Sequence, residues 1–206
     1  MACSAGANEE IAAYFDQCAV NGEMLDFPPN ELKKLNIFID MWDIERNSRI
    51  LEPGCGAGRL TAELARSIGG DSEIYACDLS PEMLRVARDR NLPPVVIFER
   101  RSALDIPRPA AWFDLVVCLN VFPHFCEPEE VLGEFARVLK SGGVLWINHF
   151  EGSESLNHFH RNISPEVSGH MLPDPGRMRR MLYESGFDVK LFEDSPEHYI
   201  VKASRL

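Results

Sequence analysis

Two acidic residues and three glycines have the types and the spacing needed to hold a small ligand. Glu52 ends an apolar run and is followed at alternate positions by three glycines: Gly54, Gly56 and Gly58. Glycine is required where a backbone bends sharply and lies against a ligand with no side chain between them. Asp78 ends the next apolar run, which puts a carboxylate where the hydroxyls of a ribose would bind. The pattern predicts a site for a ligand that contains a ribose.

The glycine spacing differs from that of a dinucleotide-binding turn, whose fingerprint is G-x-G-x-x-G. The third glycine of that fingerprint would fall at Arg59, whereas in this chain it falls one residue earlier, at Gly58. A nicotinamide-dependent oxidoreductase is therefore disfavoured. A glycine-rich turn without a ligand is the remaining alternative, and the carboxylate of Asp78 at the end of the next strand argues against it.

Histidines form a second group, and imidazole is the side chain that exchanges protons near neutral pH. His124 follows the predicted fourth strand, and His149 follows the predicted fifth strand at 144–148. Ligands bind at the carboxyl ends of parallel strands, so these two are candidate general bases. Three more histidines come later in the chain: His158, His160 and His170. A single histidine is more often structural than catalytic, and only the grouping favours a function.

The same histidines raise the alternative of a metal centre. At the two-residue period of a strand, His158 and His160 would lie on one side of the chain, and His149 and His170 would complete a set of four ligands. Two histidines with one residue between them are weak evidence for a metal, and we predict none. Six cysteines are scattered without a C-x-x-C pair, which indicates reduced thiols.

The elements that must position these residues follow from the hydrophobic pattern. Strands and amphipathic helices alternate between residues 50 and 148 and predict a parallel sheet with right-handed crossovers. Residues 8–42 are predicted to be largely helical. Apolar runs at 187–192 and 199–203 predict a C-terminal antiparallel hairpin. Three residues are predicted to be helix N-caps: Asn30, Ser80 and Asp174.

The composition limits the class of protein and its partners. The chain has 206 residues, 45% of them hydrophobic and 26% charged, and we expect one globular domain over residues 1–206. The net charge of −11 disfavours nucleic acid and anionic membranes as partners, because both are negatively charged. Residues 1–6 do not resemble a signal peptide and no apolar run is long enough to span a bilayer, so we expect a cytoplasmic protein.

The compact turn Glu52-x-Gly54-x-Gly56-x-Gly58, followed by Asp78, resembles motif I and its companion acidic residue in the class I S-adenosylmethionine (SAM)-dependent methyltransferases. The resemblance implies a Rossmann-like, three-layer α/β/α sandwich. Its mostly parallel sheet would have seven strands in the order 3-2-1-4-5-7-6, with the last strand antiparallel. SAM is then the implied cofactor, and S-adenosylhomocysteine (SAH) the product.

The resemblance also implies roles for individual residues around the cofactor. The glycines would approach its methionine part, Asp78 would hold its ribose, and Leu79 and Ala103 would lie on either side of its adenine. Ser102 stands where the family usually has an acidic residue, so the contact with the adenine would be weaker here. The implied cofactor residues are Glu52, Gly54, Gly56, Gly58, Asp78, Leu79, Ser102, Ala103 and Leu119.

On the acceptor side, the resemblance implies a helical lid at residues 1–44 and an acceptor pocket that includes residues 149–173. The family has no universal catalytic residue, because methyl transfer from a sulfonium depends largely on orientation. A general base, here His124 or His149, is needed only where the acceptor loses a proton. The residues expected at the acceptor are Tyr14, His158, His160, Arg161 and His170.

We expect a small-molecule acceptor and a protein that is a monomer or a homodimer. Residues 119–123 lack the N/D-P-P-Y/F signature of methyltransferases that act on amino groups of nucleic acids or on protein glutamine. Arg161 would steer an anionic group of the acceptor, and Tyr14 is alternatively a core aromatic residue. The alternative function is a non-catalytic module that binds the cofactor or a metal on the same fold.

Overall fold

Seven strands form one sheet in the part of the chain that the computed structural model describes, which is residues 5–206 without the side chains at positions 5 and 7. The strands are β1 Arg49–Pro53, β2 Glu73–Asp78, β3 Val96–Arg100, β4 Phe113–Leu119, β5 Leu139–His149, β6 Phe187–Ser195 and β7 His198–Arg205. Their order is β3-β2-β1-β4-β5-β7-β6, which confirms the predicted order. Strand β7 pairs antiparallel with β5 and β6, and the other neighbours pair in parallel.

Helices pack on both faces of this sheet. Within the described residues they are α1 Ala5–Val20, α2 Pro29–Trp42, α3 Arg59–Ser67, α4 Pro81–Asp89, α5 Pro128–Val138, α6 Ser153–Ile163 and α7 Pro175–Glu184. Ile50 of β1 packs in a core with α2, α3 and α4, whereas the next residue, Leu51, packs in a second core with α5 and α7. Side chains of a strand alternate between its faces, so the three-layer sandwich is confirmed.

The central strand β4 is buried on both faces, as its continuous apolar run predicts. Neighbouring residues Val116 and Val117 are each 0% exposed, although they point to opposite sides of the sheet. Strand β5 begins earlier than expected: it starts at Leu139, which pairs with Phe113 of β4. The predicted helix end at 140–143 is therefore part of the strand.

Two of the three predicted helix caps are confirmed. The Ser80 hydroxyl accepts from the N–H of Met83 at the start of α4, and the Asp174 carboxylate accepts from two N–H groups at the start of α7. Asn30 is not an N-cap. Helix α2 begins at Pro29, because the fixed φ of proline suits the first helical position.

None of the described cysteines forms a disulfide. Cys18, Cys55, Cys77 and Cys118 are buried and Cys126 is partly exposed, whereas Cys3 lies outside the described residues, as does the start of the segment that was compared with a signal peptide. No helix within residues 5–206 has the length and apolar character needed to cross a bilayer.

Candidate active site

Three glycines after β1 make a bend that glycine adopts readily. Gly54, Gly56 and Gly58 have φ angles of 68°, 52° and 70°, in the left-handed region that costs an L-residue about 1–2 kcal/mol. The N–H groups of Gly54 and Cys55 both donate to the carbonyl of Cys77, at 2.7 and 3.0 Å. Because this carbonyl lies near the end of β2, the bend is fixed between two neighbouring strands.

The glycines differ in what surrounds them. A Cβ at Gly54 would lie 2.2 Å from Val121 Cγ2, and one at Gly58 would lie 3.0 Å from Ala87 Cβ on α4. A Cβ at Gly56 would have no neighbour closer than 4.0 Å. The backbone therefore packs against protein at the first and third glycines and is open to a ligand at the second.

The bend forms one wall of a cleft of about 1100 Å³, including its open mouth, which is the size of a small-molecule site. The cleft lies at the carboxyl ends of the parallel strands, where ligands bind in such sheets. Gly58 does not line it, since it packs against α4. The other residues predicted at the cofactor all line the cleft: Glu52, Gly54, Gly56, Asp78, Leu79, Ser102, Ala103 and Leu119.

Asp78 holds the bend as well as facing the cleft. Its Oδ2 accepts from the N–H of Gly56 at 2.8 Å, and its Oδ1 accepts from the N–H of Ser80 at 2.9 Å. Burial raises the pKa of Asp78 above its usual range, and the bonds from Ser80 and Gly56 partly offset that rise. Each carboxylate oxygen has a second lone pair, so the side chain can still accept from a ligand hydroxyl.

Glu52 has a buried oxygen that no protein group satisfies. The residue is 3% exposed, and its Oε2 has no hydrogen-bond partner among the described residues. Burial raises the pKa of Glu52 to about 8. An unsatisfied buried carboxyl is costly, and a cationic or N–H donor group in the cleft would satisfy it.

The loop after β3 forms another part of the wall. The Ser102 hydroxyl accepts from the N–H of Leu104 at 3.2 Å, so this side chain stabilises the loop. Arg101, which was not predicted at the site, also lines the cleft, and its guanidinium pairs with Glu99 at 2.7 Å. Strand β3 ends at Arg100, one residue before Arg101. The predicted end of this strand could have identified Arg101, because ligands bind at the carboxyl ends of parallel strands.

The N-terminal helix supplies much of the remaining wall. Ile11 and Phe15 line the cleft one helical turn apart, and their i, i+4 spacing could have identified this face from the sequence. Tyr14, which was expected at the acceptor, is not among the lining residues.

Further lining residues that were not predicted come from the N-terminal segment and from the chain after β4. They are Asn8, Ala12, Met24, Phe27, Asn120, Val121, Phe125 and Cys126.

Polar contacts attach this N-terminal segment to the sheet. Asp16 Oδ1 accepts from the hydroxyl of Ser80 at 2.5 Å and from the N–H of Glu82 at 3.0 Å, at the start of α4. Arg90 Nε donates to the carbonyl of Ala57 in the glycine bend at 2.5 Å. These contacts join α1 to the start of α4, and the end of α4 to the glycine bend, beside the cleft.

Histidines from distant parts of the chain meet at the far side of the cleft. His124, in a short 3₁₀ helix that follows β4, lines the cleft and packs edge-on against Phe15, with ring centroids 5.2 Å apart. Its Nδ1 lies 3.0 Å from Nδ1 of His170. The ring of His160 is 5.1 Å from that of His124, centroid to centroid, and its Nδ1 is hydrogen-bonded to the carbonyl of His170.

Several predicted residues do not line the cleft. His149 is 2% exposed and packs against Tyr199 with ring centroids 6.0 Å apart, and its Nε2 has no partner among the described residues. His158 and His160 lie on helix α6 and not on a strand. At helical spacing they point in different directions, so His158 is exposed and His160 buried. The predicted residues outside the cleft lining are Tyr14, His149, His158, His160, Arg161 and His170.

Burial favours the neutral form of His124, His149 and His170. It lowers the pKa of His124 well below its usual range, helped by repulsion from His160, His170 and His149. It lowers the pKa of His149 to about 3 and also lowers that of His170. Within residues 5–206, no three His, Cys, Asp or Glu side chains are placed to hold a metal ion.

The fold and the cleft define a class of protein. A parallel sheet with an antiparallel last strand, a glycine bend after β1 and carboxylates at the ends of β1 and β2 make up a Rossmann-like protein that binds a nucleoside-containing ligand.

Comparisons with known proteins narrow this class. Residues 51–147 match the family described as Methyltransferase domain. The Ubiquinone/menaquinone biosynthesis C-methyltransferase UbiE of Yersinia enterocolitica is 25% identical over 204 residues, which cover 86% of this chain and 80% of the relative. A SAM-dependent methyltransferase from Aquifex aeolicus has a TM-score of 0.69 at 21% identity, over 87% of this chain and 100% of the other.

A further solved structure is phosphoethanolamine N-methyltransferase 2 of Haemonchus contortus, in complex with phosphomonomethylethanolamine and SAH. It has a TM-score of 0.64 at 21% identity and covers 77% of this chain and 37% of the other. These similarities support a class I SAM-dependent methyltransferase with SAM as the cofactor.

Proposed function

We propose that this enzyme methylates a small molecule and that His124 accepts a proton from it. The observation that carries the proposal is the position of His124, which lines the cleft together with the glycine bend, Glu52 and Asp78. Among the six histidines of the chain, it alone lines the cleft within the described residues.

The cleft residues fit SAM. We propose that the buried Oε2 of Glu52, which lacks a partner, receives the amino group of the cofactor, and that Asp78 receives ribose hydroxyls. Gly56, whose missing side chain leaves the backbone open, would lie against the methionine part, while Leu79 and Ala103 would pack on the adenine. When bound, SAM supplies an activated methyl group on a sulfonium.

A neutral His124 suits a cleft that holds a cationic cofactor. Two unit charges 4 Å apart repel by about 4 kcal/mol at an effective dielectric constant of 20. Because burial lowers the pKa of His124 well below its usual range, the imidazole adds no positive charge before the reaction. It can then take a proton from an acceptor as the positive charge of the sulfonium is lost.

The wall around His124 favours an apolar acceptor with an ionisable proton. Phe15, Val121 and Phe125 line the same part of the cleft, and apolar walls with a single polar group are typical of small-molecule sites. The relative that is 25% identical is named as a C-methyltransferase of ubiquinone and menaquinone biosynthesis. We propose small phenols and hydroquinones as the acceptor class.

Transfer of radiolabelled methyl groups from SAM tests this proposal. We expect label in a small phenol or hydroquinone from a panel, and none in total RNA or unfolded protein. His124→Gln should lower kcat by about 100-fold or more, because general bases contribute factors of 10²–10⁴, and should leave the Kd for SAH unchanged. His198→Asn is the matched control, since His198 pairs with Glu193 in the C-terminal hairpin. An undiminished kcat for His124→Gln would exclude the base, and label in RNA alone would exclude the acceptor class.

A further inference from the structure

The contact between His124 and His170 joins two parts of the chain that are separate in sequence. His124 belongs to the 3₁₀ helix after β4, and His170 follows α6 by several residues. Their Nδ1 atoms are 3.0 Å apart, within the range of an N–H···N hydrogen bond. His170 is partly exposed and does not line the cleft. It therefore lies on the side of His124 that faces away from the cleft.

When both rings are neutral, a hydrogen bond between these two nitrogens requires that one of them carries the hydrogen and the other accepts it. A neutral imidazole has one N–H and one lone pair, so the ring that donates through Nδ1 has its lone pair on Nε2. If His124 is the donor, its Nε2 is free to accept a proton. Since Nδ1 faces His170, Nε2 is the nitrogen left for a molecule in the cleft.

The structure holds His170 in place from α6. The Nδ1 of His160 is hydrogen-bonded to the carbonyl of His170, and a carbonyl only accepts, so His160 must be the donor. Asn157 accepts from the N–H of Leu172 at 2.7 Å and donates to its carbonyl at 3.0 Å. Two α6 side chains thus hold the backbone on both sides of position 171, which fixes His170 against His124.

The groups around this pair are mostly other imidazoles. Burial is the main cause of the lowered pKa of His124, and repulsion from His160, His170 and His149 lowers it further. The pKa of His170 is lowered mainly by burial and also by His160. On the side of the cleft, Cys126 and Glu127 are lining residues together with His124. In serine proteases a carboxylate orients the catalytic histidine, whereas here a neutral imidazole occupies the corresponding position on Nδ1.

We propose that His170 is a positioning residue: it accepts a hydrogen bond from Nδ1 of His124 and thereby keeps Nε2 of His124 free for the acceptor. The inference rests on the proposed function, in which His124 takes the proton. In that step the X–H bond of the acceptor breaks, its proton binds Nε2, and its electron pair forms the new bond to the methyl carbon, whose bond to the sulfur of SAM would break and leave its electron pair on the sulfur of SAH. The resulting imidazolium keeps its Nδ1–H bond to His170 until water removes the proton.

Nitrogen NMR on ¹⁵N-histidine-labelled protein tests the positioning role without any acceptor. The spectrum is recorded with and without SAH, and His124→Gln and His170→Ala identify the signals. We expect His124 with its hydrogen on Nδ1 and His170 with its hydrogen on Nε2 in the unmodified protein. In His170→Ala, His124 should populate both tautomers. His198→Asn should leave the His124 signals unchanged.

Kinetics give the second readout. With a phenol that the enzyme methylates, His170→Ala should lower kcat by about tenfold while KM and the Kd for SAH stay within twofold, and His170→Asn should recover part of the loss. A hydrogen on Nε2 of His124 in the unmodified protein overturns the inference, as does an unchanged His124 tautomer in His170→Ala. If the tautomers are as expected but His124→Gln keeps its full rate, the positioning stands and the base role of His124 falls.

Discussion

At the scale of single residues, burial controls the chemistry of the cleft. Glu52 and His124 are ordinary titratable residues whose pKa values move in opposite directions, because burial disfavours the charged form of each. The pKa of Glu52 rises to about 8, and that of His124 falls well below its usual range. Burial therefore favours the uncharged forms of Glu52 and His124 at neutral pH, and a cation in the cleft would favour the charged form of Glu52.

The raised pKa of Glu52 predicts a pH-dependent stability of the protein without ligand. Between about pH 4.5 and pH 8 the unfolded chain ionises Glu52 while the folded protein keeps it protonated, so the free energy of unfolding should fall as pH rises through this window. Above the folded pKa no further change is due to this residue. The full decrease in the free energy of unfolding is about 5 kcal/mol, at about 1.4 kcal/mol for each pH unit between 4.5 and 8.

Urea unfolding at pH 5 and pH 8 measures this effect. Glu52→Gln should remove most of the difference between the two pH values, because glutamine does not titrate. Glu10→Gln on the exposed face of α1 is the control and should keep it. Equal pH dependence in the unmodified protein and in Glu52→Gln would contradict the assignment.

At the scale of elements, the glycine bend connects β1, α3 and the cleft. Each of its glycines has a positive φ, but only Gly56 leaves open space where a side chain would be. The N-terminal helix α1 closes the cleft from the other side, and Asp16 joins it to the start of α4. The site is therefore assembled from the ends of elements, where backbone N–H groups are unpaired.

Alanine substitutions in the bend should separate packing from ligand contact. Gly22→Ala is the reference, because Gly22 has a φ of 77° and no neighbour within 4 Å, and it should cost about 1–2 kcal/mol of stability. Gly54→Ala should cost about 1–3 kcal/mol more, since its Cβ meets Val121. Gly56→Ala should resemble the reference in stability but weaken SAH binding at least tenfold.

Urea unfolding and calorimetric titration with SAH provide these measurements. We expect Gly22→Ala and Gly56→Ala to be about equally stable, and both to be more stable than Gly54→Ala. A Gly54→Ala protein as stable as the reference would show that Val121 moves aside readily. Unchanged SAH affinity in Gly56→Ala would show that the ligand does not approach the backbone there.

At the scale of the whole molecule, the sheet brings together residues that are far apart in the chain. Strands β1, β2 and β4 end side by side, so Glu52, Asp78 and Leu119 line one cleft. The crossover after β5 then places α6 and its following loop behind His124. Binding of a nucleoside across these strand ends should stabilise the entire fold, since it links elements from both halves of the sheet.

Thermal unfolding with ligands tests this coupling and the choice of cofactor. At a concentration of 100 times its Kd, SAH should stabilise the protein by about 2.7 kcal/mol, which raises Tm by about 5–10 °C for a chain of this length. NAD at the same concentration should leave Tm unchanged, because Arg59 occupies the position of the third glycine of the dinucleotide fingerprint. An equal shift with NAD would contradict the cofactor assignment.

The sequence by itself determined the chain order of the strands and of the helices other than α6, the caps at Ser80 and Asp174, and the glycine bend between two acidic strand ends. These features depend on local periodicity and on the backbone preferences of single residues, and the resemblance to a methyltransferase family supplied the strand order. The strand spacing of His158 and His160 that the metal alternative required does not occur, because residues 153–163 form a helix.

Only the tertiary structure decided which distant side chains meet. The contact between His124 and His170 spans 46 residues, and it exists because α6 and the following loop fold back over the end of β4. The tertiary structure also placed Phe15 in the cleft and left Tyr14, one residue earlier, outside its lining. Such contacts depend on how crossovers and helices pack on the sheet, and local sequence patterns do not specify that packing.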